Sequence, residues 1–292
     1  MNSQIFINGL IAGSVYALVA LGFSIIYSTV RFFHFAHGAV YTAGAYFTYL
    51  LFVLYKWPLP VAVAVAVVLA ALLGVAIELF VYKPIKRQRA SGTILLIASL
   101  GIFIVLQNLI SLFFGDDTKT IRSGEVREGL NVLGARITPV QIAIILTSLV
   151  LFAFTVVILK RSKIGKALRA VANDPELAVV AGLDKDKIIY FTYFIGSALA
   201  AIAAILISLD IDMTPLMGFQ AMLYGVVAVV IGGLGNILGA YFGGLLLGLA
   251  QHLGVWYISS KWQDAIAFVI LILFLLLRPQ GFFGQRMRRS EI

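Results

Sequence analysis

Apolar residues run in blocks of about 20, the number of helical residues needed to cross a bilayer, with short polar segments between them. The blocks fall at 5–28, 36–55, 58–82, 92–114, 139–159 and 188–209, followed by a long Gly-rich stretch at 219–254 and a last run at 262–277. As one helix the stretch 219–254 would measure about 54 Å, nearly twice the hydrocarbon thickness. It must break, and Gly232-Gly233-Leu234-Gly235-Asn236 is the place the sequence offers. The pattern predicts an all-α, polytopic integral membrane protein of about eight transmembrane helices plus broken or re-entrant segments. With no soluble insertion, low-complexity tract or Pro-rich linker, it reads as one transmembrane domain over 1–292.

Composition narrows the class. Hydrophobic residues make up 61% of the 292 positions and charged ones 12%, against roughly 45–50% and about 25% in soluble domains. A mean hydropathy of +1.02, spread over most of the length, excludes a soluble enzyme with a single anchor and a disordered or fibrous chain. The 22 Lys and Arg against 13 Asp and Glu give a net charge of +9. Nucleic acid is not the partner this charge points to, because the basic residues sit in short loops between apolar runs, as the positive-inside rule describes. Three segments are basic: Lys83, Lys86, Arg87 and Arg89; the loop 160–187, with seven Lys or Arg against four acids; and the tail, with Arg278, Arg286, Arg288 and Arg289 against Glu291. These are expected on the cytoplasmic side. The loop 115–138 has four charges of each sign and 210–218 only Asp210 and Asp212, so both are expected outside. Threading the runs consistently puts the N-terminus outside and makes 219–254 cross twice. A re-entrant piece with a cytoplasmic N-terminus would instead leave the basic loop 83–89 outside. The run Ile5 to Ser28 is too long for a signal-peptide core and is expected to be retained. The chain has no Cys, which removes disulfides, thiolate metal sites and thiol nucleophiles.

Within the loop 160–187, Asp174 is a good N-cap, Pro175 sits where a missing N–H costs nothing, Glu176 complements the helix dipole and Gly182 supplies a left-handed stop. A helix near 175–181 is predicted, with Leu177, Val180 and Ala181 as its apolar face. Two turns are marginal alone, so this helix packs either on the protein's own helix ends or on a soluble partner. That partner would have to supply the driving energy, since the chain has no G-x-x-x-x-G-K-[ST] phosphate loop; Gly165-Lys166 is followed by Ala167 and lacks the preceding glycine. Gly235, Gly239 and Gly243 recur every four residues, with Ala240, Gly244 and Gly248 beside them, and Gly9, Gly13 and Ala17 repeat the spacing. Such ladders let helices approach closely in lipid, and packing within the chain is favoured over a subunit interface.

The stretch Arg31 to Tyr46 places Phe35, His37, Gly38, Tyr41, Thr42 and Gly44 at or near a helix start. A broken helix start whose free N–H groups face a polar cavity fits transporters, and these residues, with Asn236, are the candidates for a solute path; the alternative is a capped interfacial helix start. His34 and His37 stand at i, i+3, but no third metal ligand is evident. Glu78 lies about one turn from the end of its run, where it can snorkel to Lys83 or pair with Arg87. Asp264 lies near the edge of the last run. Gln107, Asn108, Gln141 and Asn236 could line a path or bond between helices. Nothing reads as a proton relay. The Gly13-Ser14 and Gly196-Ser197 runs are weakly alike and opposite in direction under this threading, as an inverted repeat would be, although chance likeness of two apolar helices is the simpler explanation.

Taken together, Gly9 to Tyr27, Phe35-Ala36-His37-Gly38 with Gly44-Ala45-Tyr46, Gly165-x-x-x-Arg169-Ala170-x-x-Asn173 ending in Ala178 and Gly182, Ile231 to Asn236, and Arg278-Pro279-Gln280-Gly281-Phe282-Phe283-Gly284 resemble the permeases of branched-chain amino-acid ABC importers. The likeness covers nearly the whole chain, and Phe-Ala-His-Gly points to the shorter H-type subunit. It implies a multi-pass protein of a prokaryotic plasma (inner) membrane, in contact with membrane lipid. Its implied partners are an M-type (LivM-like) permease, two cytoplasmic ATPase subunits and an external solute-binding protein. It also implies no cofactor on this chain, ATP and Mg being bound by the partners, and a coupling role for Arg169, Asp174, Pro175, Glu176, Leu177, Ala178, Val180, Ala181 and Gly182. Leu, Ile and Val are the implied substrates. Some members carry an acidic residue where this chain has Ala39, which leaves urea, short amides or other amino acids as alternatives. A secondary transporter or channel would call for intramembrane carboxylates or a filter motif. An intramembrane enzyme would have only Asp210 and Asp212 as a close acid pair, ahead of Met213-Thr214-Pro215 in an external turn.

Overall fold

A computed structural model of the chain describes residues 2–122, 129–132 and 134–284. The expected basic tail residues Arg286, Arg288 and Arg289, with Glu291, and the loop charges Glu125, Arg127 and Glu128 lie outside the described residues. The elements are α1 (Asn2–Val30), α2 (Ala36–Tyr49), α3 (Leu59–Ile77), α4 (Lys83–Arg87), α5 (Gly92–Phe114), β1 (Leu130–Val132), β2 (Ala135–Ile137), α6 (Pro139–Arg161), α7 (Lys163–Asn173), α8 (Pro175–Val180), α9 (Lys185–Asp210), α10 (Met217–Gly232), α11 (Ile237–Tyr257) and α12 (Gln263–Leu277). Seven helices among the described residues are long and apolar enough to cross a membrane; α3 and α4 count as one, joined through a π turn at Glu78–Tyr82. The remaining apolar helices are shorter: α2, which ends in a π turn at Leu50–Leu54, and α10.

Local chemistry explains where the helices start. Ser91, Thr138, Ser162, Asp184 and Asn236 each cap a helix with a side-chain oxygen that accepts a backbone N–H, and Thr138 with Gln141 forms a reciprocal capping box. The break expected inside 219–254 lies between α10 and α11, where Gly233 and Gly235 have φ of 110° and 77°.

The connections sort onto two faces. On one, the Gln4 side chain bonds both the N–H and the carbonyl of Arg136 in the β1–β2 hairpin. Lys119 and Met213 exchange backbone bonds of 2.9 Å, and Arg122 pairs with Asp212, whose carboxyl this hydrogen bond and charge hold below the usual range. On the other, basic face, Arg31 Nη2 donates to the Ala172 carbonyl at 2.8 Å and Lys83 Nζ meets Asp186 at 2.6 Å. There Phe282 and Phe283 also donate to the carbonyls of Ile231 and Gly232. The N-terminus thus lies opposite the basic loops, as the threading required. Helix α1 is the centre of the bundle, packing on α11, α9, α10 and α6, whereas α5, α6 and α12 keep long apolar faces exposed, as lipid-facing helices do.

One expectation fails here. Glu78 neither snorkels to Lys83 nor pairs with Arg87; it is 2% exposed, and both carboxylate oxygens accept from Lys86 Nζ, at 2.7 and 2.8 Å. At about 100° per residue, Lys86 would stand roughly 80° around the helix from Glu78. The π turn at Glu78–Tyr82 advances fewer degrees per residue and brings Lys86 into line, while Lys83 turns to Asp186 and Tyr190.

Candidate functional site

At the basic end of α1, Arg31 adopts a φ of 57° and the chain turns back into the bundle as a non-helical run to Phe35. Ser99, about 10 Å along α5 from its start, holds this run. Its Oγ accepts from the Phe35 N–H at 3.2 Å and lies 3.1 Å from the Phe33 carbonyl. Helix α2 therefore begins inside the membrane layer and runs outward from there. Helix α10 does the same from the opposite face: it has 16 residues, about 24 Å, and its first turn lies against the start of α2.

Two glycine pairs make that junction close enough. A methyl carbon on Gly22 of α1 would stand 2.5 Å from the Gly196 carbonyl oxygen of α9, and one on Gly196 would stand 2.7 Å from that of Gly22. Gly38 of α2 and Gly218 of α10 meet in the same mutual way. Reciprocal contacts of this kind mark a two-fold relation, here between α1–α2 and α9–α10, which run in opposite directions. The arrangement of broken helices is inverted, but it sets Gly196 against Gly22 and not against Gly13, which packs on Leu245 and Gly244 of α11, so the weak likeness of the Gly13-Ser14 and Gly196-Ser197 runs does not mark the paired positions.

Against this junction lies a buried polar file. His34 Nδ1 is 2.9 Å from Tyr82 Oη, the rings of His34 and His37 are 6.0 Å apart between centroids, and the Tyr193 ring is 5.1 Å from that of His34. From Tyr82 and Tyr193 the file continues to Glu78 and Lys86 at the basic face. Both ring nitrogens of His37 lack a hydrogen-bond partner. Sequence reasoning singled out His37 but missed Tyr82, Tyr193 and Lys86; of these only Tyr82, four residues from Glu78, was within reach of a helical spacing argument.

The candidate path residues take different places. His37, Tyr41 and Thr42 are enclosed, and the Thr42 hydroxyl donates to the Gly38 carbonyl at 3.2 Å. Gly44 admits Ala201 of α9. Only Phe35 among them presents part of its side chain at the surface of the α2 start. At His37 and Gly38 the helix start is packed against neighbouring helices, with Gly22 of α1 beside the His37 ring and Gly218 of α10 against Gly38. Asn236 lies apart, at the basic face, where it caps α11 by accepting from Gly239 N–H at 2.9 Å and donates to the Phe283 carbonyl at 2.8 Å.

The glycine ladder lies within the chain. Gly9 and Gly13 of α1 meet Leu249, Gly248, Leu245 and Gly244 of α11, while Gly239 and Gly243 admit the backbone of α10 at Gly232 and Ala228. Gly235 stands outside the ladder. Nothing approaches its would-be side chain closer than 3.9 Å, and its φ of 77° makes it a turn residue.

On the basic face, α7 and α8 form an angled pair. Asp174 Oδ1 accepts from the N–H groups of Glu176 and Leu177 at 3.0 and 2.9 Å. The helix ends at Val180, one residue short of expectation. Gly182 follows at φ 84°, and the Leu183 N–H closes on the Ala178 carbonyl at 3.0 Å, a left-handed stop. Ala178 faces inward, 4% exposed, while Leu177, Val179 and Val180 are 64, 52 and 83% exposed. Val179 therefore joins the expected apolar face. Arg169, Glu176, Ala181 and Gly182 are exposed beside it, and Pro175 is half-buried.

The family model described as branched-chain amino acid transport system / permease component matches residues 5–275. The chain is 36% identical, over 97% of its own length and 95% of theirs, to the high-affinity branched-chain amino acid transport system permease proteins LivH of Escherichia coli and BraD of Pseudomonas aeruginosa. A probable branched-chain amino acid transport permease of Methanocaldococcus jannaschii is 27% identical over 94% of this chain and 90% of its own. Among solved structures, a chain of PsaBC from Streptococcus pneumoniae in complex with Fab aligns with a TM-score of 0.55 over 94% of this chain and 91% of that one; at 13% identity this is a likeness of fold.

Proposed function

Since the chain belongs to the branched-chain amino acid transport permease family of ABC systems, we propose that it is the H-type membrane subunit of an importer for Leu, Ile and Val, driven in trans by ATPase subunits. The observation that carries this is α8, a capped two-turn helix on the basic face whose Leu177, Val179 and Val180 have no cover among the described residues. Exposed apolar side chains on a helix held at both ends suit docking into a protein groove. In this reading the basic face is cytoplasmic in a prokaryotic inner membrane, α7–α8 is the coupling segment, and ATP and Mg bind on the partner chains. An M-type permease completes the path and an external solute-binding protein delivers the substrate. The path runs beside the interrupted starts of α2 and α10, past Phe35, with His37, Gly38, Tyr41, Thr42 and Gly44 holding that shape from behind.

Proteoliposomes containing the assembled complex should take up Leu, Ile and Val only with ATP inside and binding protein outside, and those solutes should stimulate ATP hydrolysis where urea and short amides do not. Stimulation by urea alone would reassign the substrate, and uptake that persists without ATPase subunits would make the protein a secondary transporter or channel. Orientation has its own test, made direct by the absence of native Cys. A Lys166→Cys variant should react with a membrane-impermeant maleimide only after the cytoplasmic side is opened; labelling of intact cells would reverse the topology.

A further inference from the structure

A cleft of about 190 Å³ lies in the basic-face half of the bundle between α6 and α9, lined also by Ile25 of α1 and Leu168 of α7. Its walls are apolar: Phe154 and Ile158 on α6 face Phe191, Ile195 and Ala198 on α9. Its two hydroxyl residues, Thr155 and Thr192, are buried, and Thr192 donates its proton to the Ile188 carbonyl of its own helix at 2.7 Å. Phe154 at the cleft's rim is 59% exposed within the apolar span of α6, so the cleft reaches the outer surface of the bundle at membrane depth. Its volume is well above what one water needs, and its lining offers almost no polar partner to hold water there.

Helical periodicity places a cation above each wall. Arg161 is three residues beyond Ile158 on α6, and Lys187 is four residues before Phe191 on α9, spacings that keep each on the lining stripe of its helix. Both are exposed, and Arg161 has no acidic partner among the described residues. Lys187 meets Asp184 at 3.1 Å in an exposed pair that is cheap to exchange for another anion. An apolar cleft with a cation on the same stripe of each of its two walls matches the two parts of a lipid.

We infer that this cleft binds one acyl chain of an anionic phospholipid from the leaflet on the basic face, with the lipid phosphate held by Arg161 and Lys187. The inference does not depend on which solute is carried. Native mass spectrometry of the purified full-length protein, in complex with the subunits that copurify, tests it with phosphatidylglycerol and phosphatidylcholine of identical chains. One phosphatidylglycerol should stay bound per copy, favoured about five-fold for each cation. Arg161→Gln with Lys187→Gln should erase the preference, and Ala198→Trp, which fills the slot, should release both lipids. Equal retention of the two lipids by the unaltered protein, or no change in the variants, would overturn the assignment. A photo-reactive residue at Phe154 keeps the test independent of how the variants fold: crosslinks to lipid chains support the site, and crosslinks to a protein subunit, or none, refute it.

Discussion

Replacing Val180 with Arg should reduce ATP-driven uptake to the level of liposomes lacking ATPase, while the protein remains folded, inserted and assembled with the second permease. Val180 is 83% exposed at the last turn of α8, so a charged side chain there meets water and costs the fold within about 0.5 kcal/mol. In a docked apolar groove the same Arg would be a desolvated, unpaired charge. Loss of one central contact costs about 2 kcal/mol, roughly thirty-fold in affinity, and the introduced charge adds to that. Leu177→Arg should act alike, while Ala178→Arg should instead prevent folding, because Ala178 is turned against the chain. Asp174→Ala should fall between, since it removes the cap that accepts from Glu176 and Leu177, about 1 kcal/mol. The measurements are uptake, ATPase stimulation and retention of the ATPase subunits during purification. Full uptake by a Val180→Arg complex would remove α8 from the coupling route.

What could be read in the sequence is what depends on neighbours along the chain. Hydropathy accumulates over about 20 residues, so the membrane runs were legible, including the need to break 219–254. The Asp174-Pro175 start and the Gly182 stop of α8 are local chemistry and place that helix to within one residue. Long-range features were not legible. The run from Arg31 to Phe35 enters the bundle because Ser99, on another helix, bonds its backbone, and no local pattern announces that. Asn236 read as a path residue because polar side chains in apolar runs are ambiguous; here its oxygen caps α11 and its nitrogen holds the tail. The ladder reading swept in Gly235 by spacing alone, although its backbone angle, not its size, is what the turn uses. Glu78 was given the wrong partner because sequence spacing assumes an unbroken α-helix, and the π turn alters the angle between positions.

The Glu78–Lys86 pair should show an asymmetric response to mutation. Glu78 is enclosed, whereas the Lys86 side chain is 26% exposed and reaches the pair from the basic face, passing over the Phe32 ring at 5.6 Å. Lys86→Met therefore leaves a buried carboxylate without its cation among Tyr82, Tyr193 and apolar neighbours, and should lower stability by about 3 kcal/mol, the lower end of the range for breaking a buried pair. Glu78→Gln leaves an ammonium that can swing out to water on its flexible stem, and should cost about 1 kcal/mol, the worth of an ordinary hydrogen bond. Glu78→Leu with Lys86→Met removes both charges and should recover most of what Lys86→Met alone loses. Thermal unfolding of the three purified variants, followed by loss of the monodisperse size-exclusion peak, orders them directly. The reverse order of the two single variants, or a double variant as unstable as their sum, would mean that the pair does not anchor the His34–Tyr82 end of the buried polar file. The order predicted here would tie the start of α2 to a charge pair on the same face as α8, since Tyr82, in the turn that carries Glu78, bonds His34 at 2.9 Å.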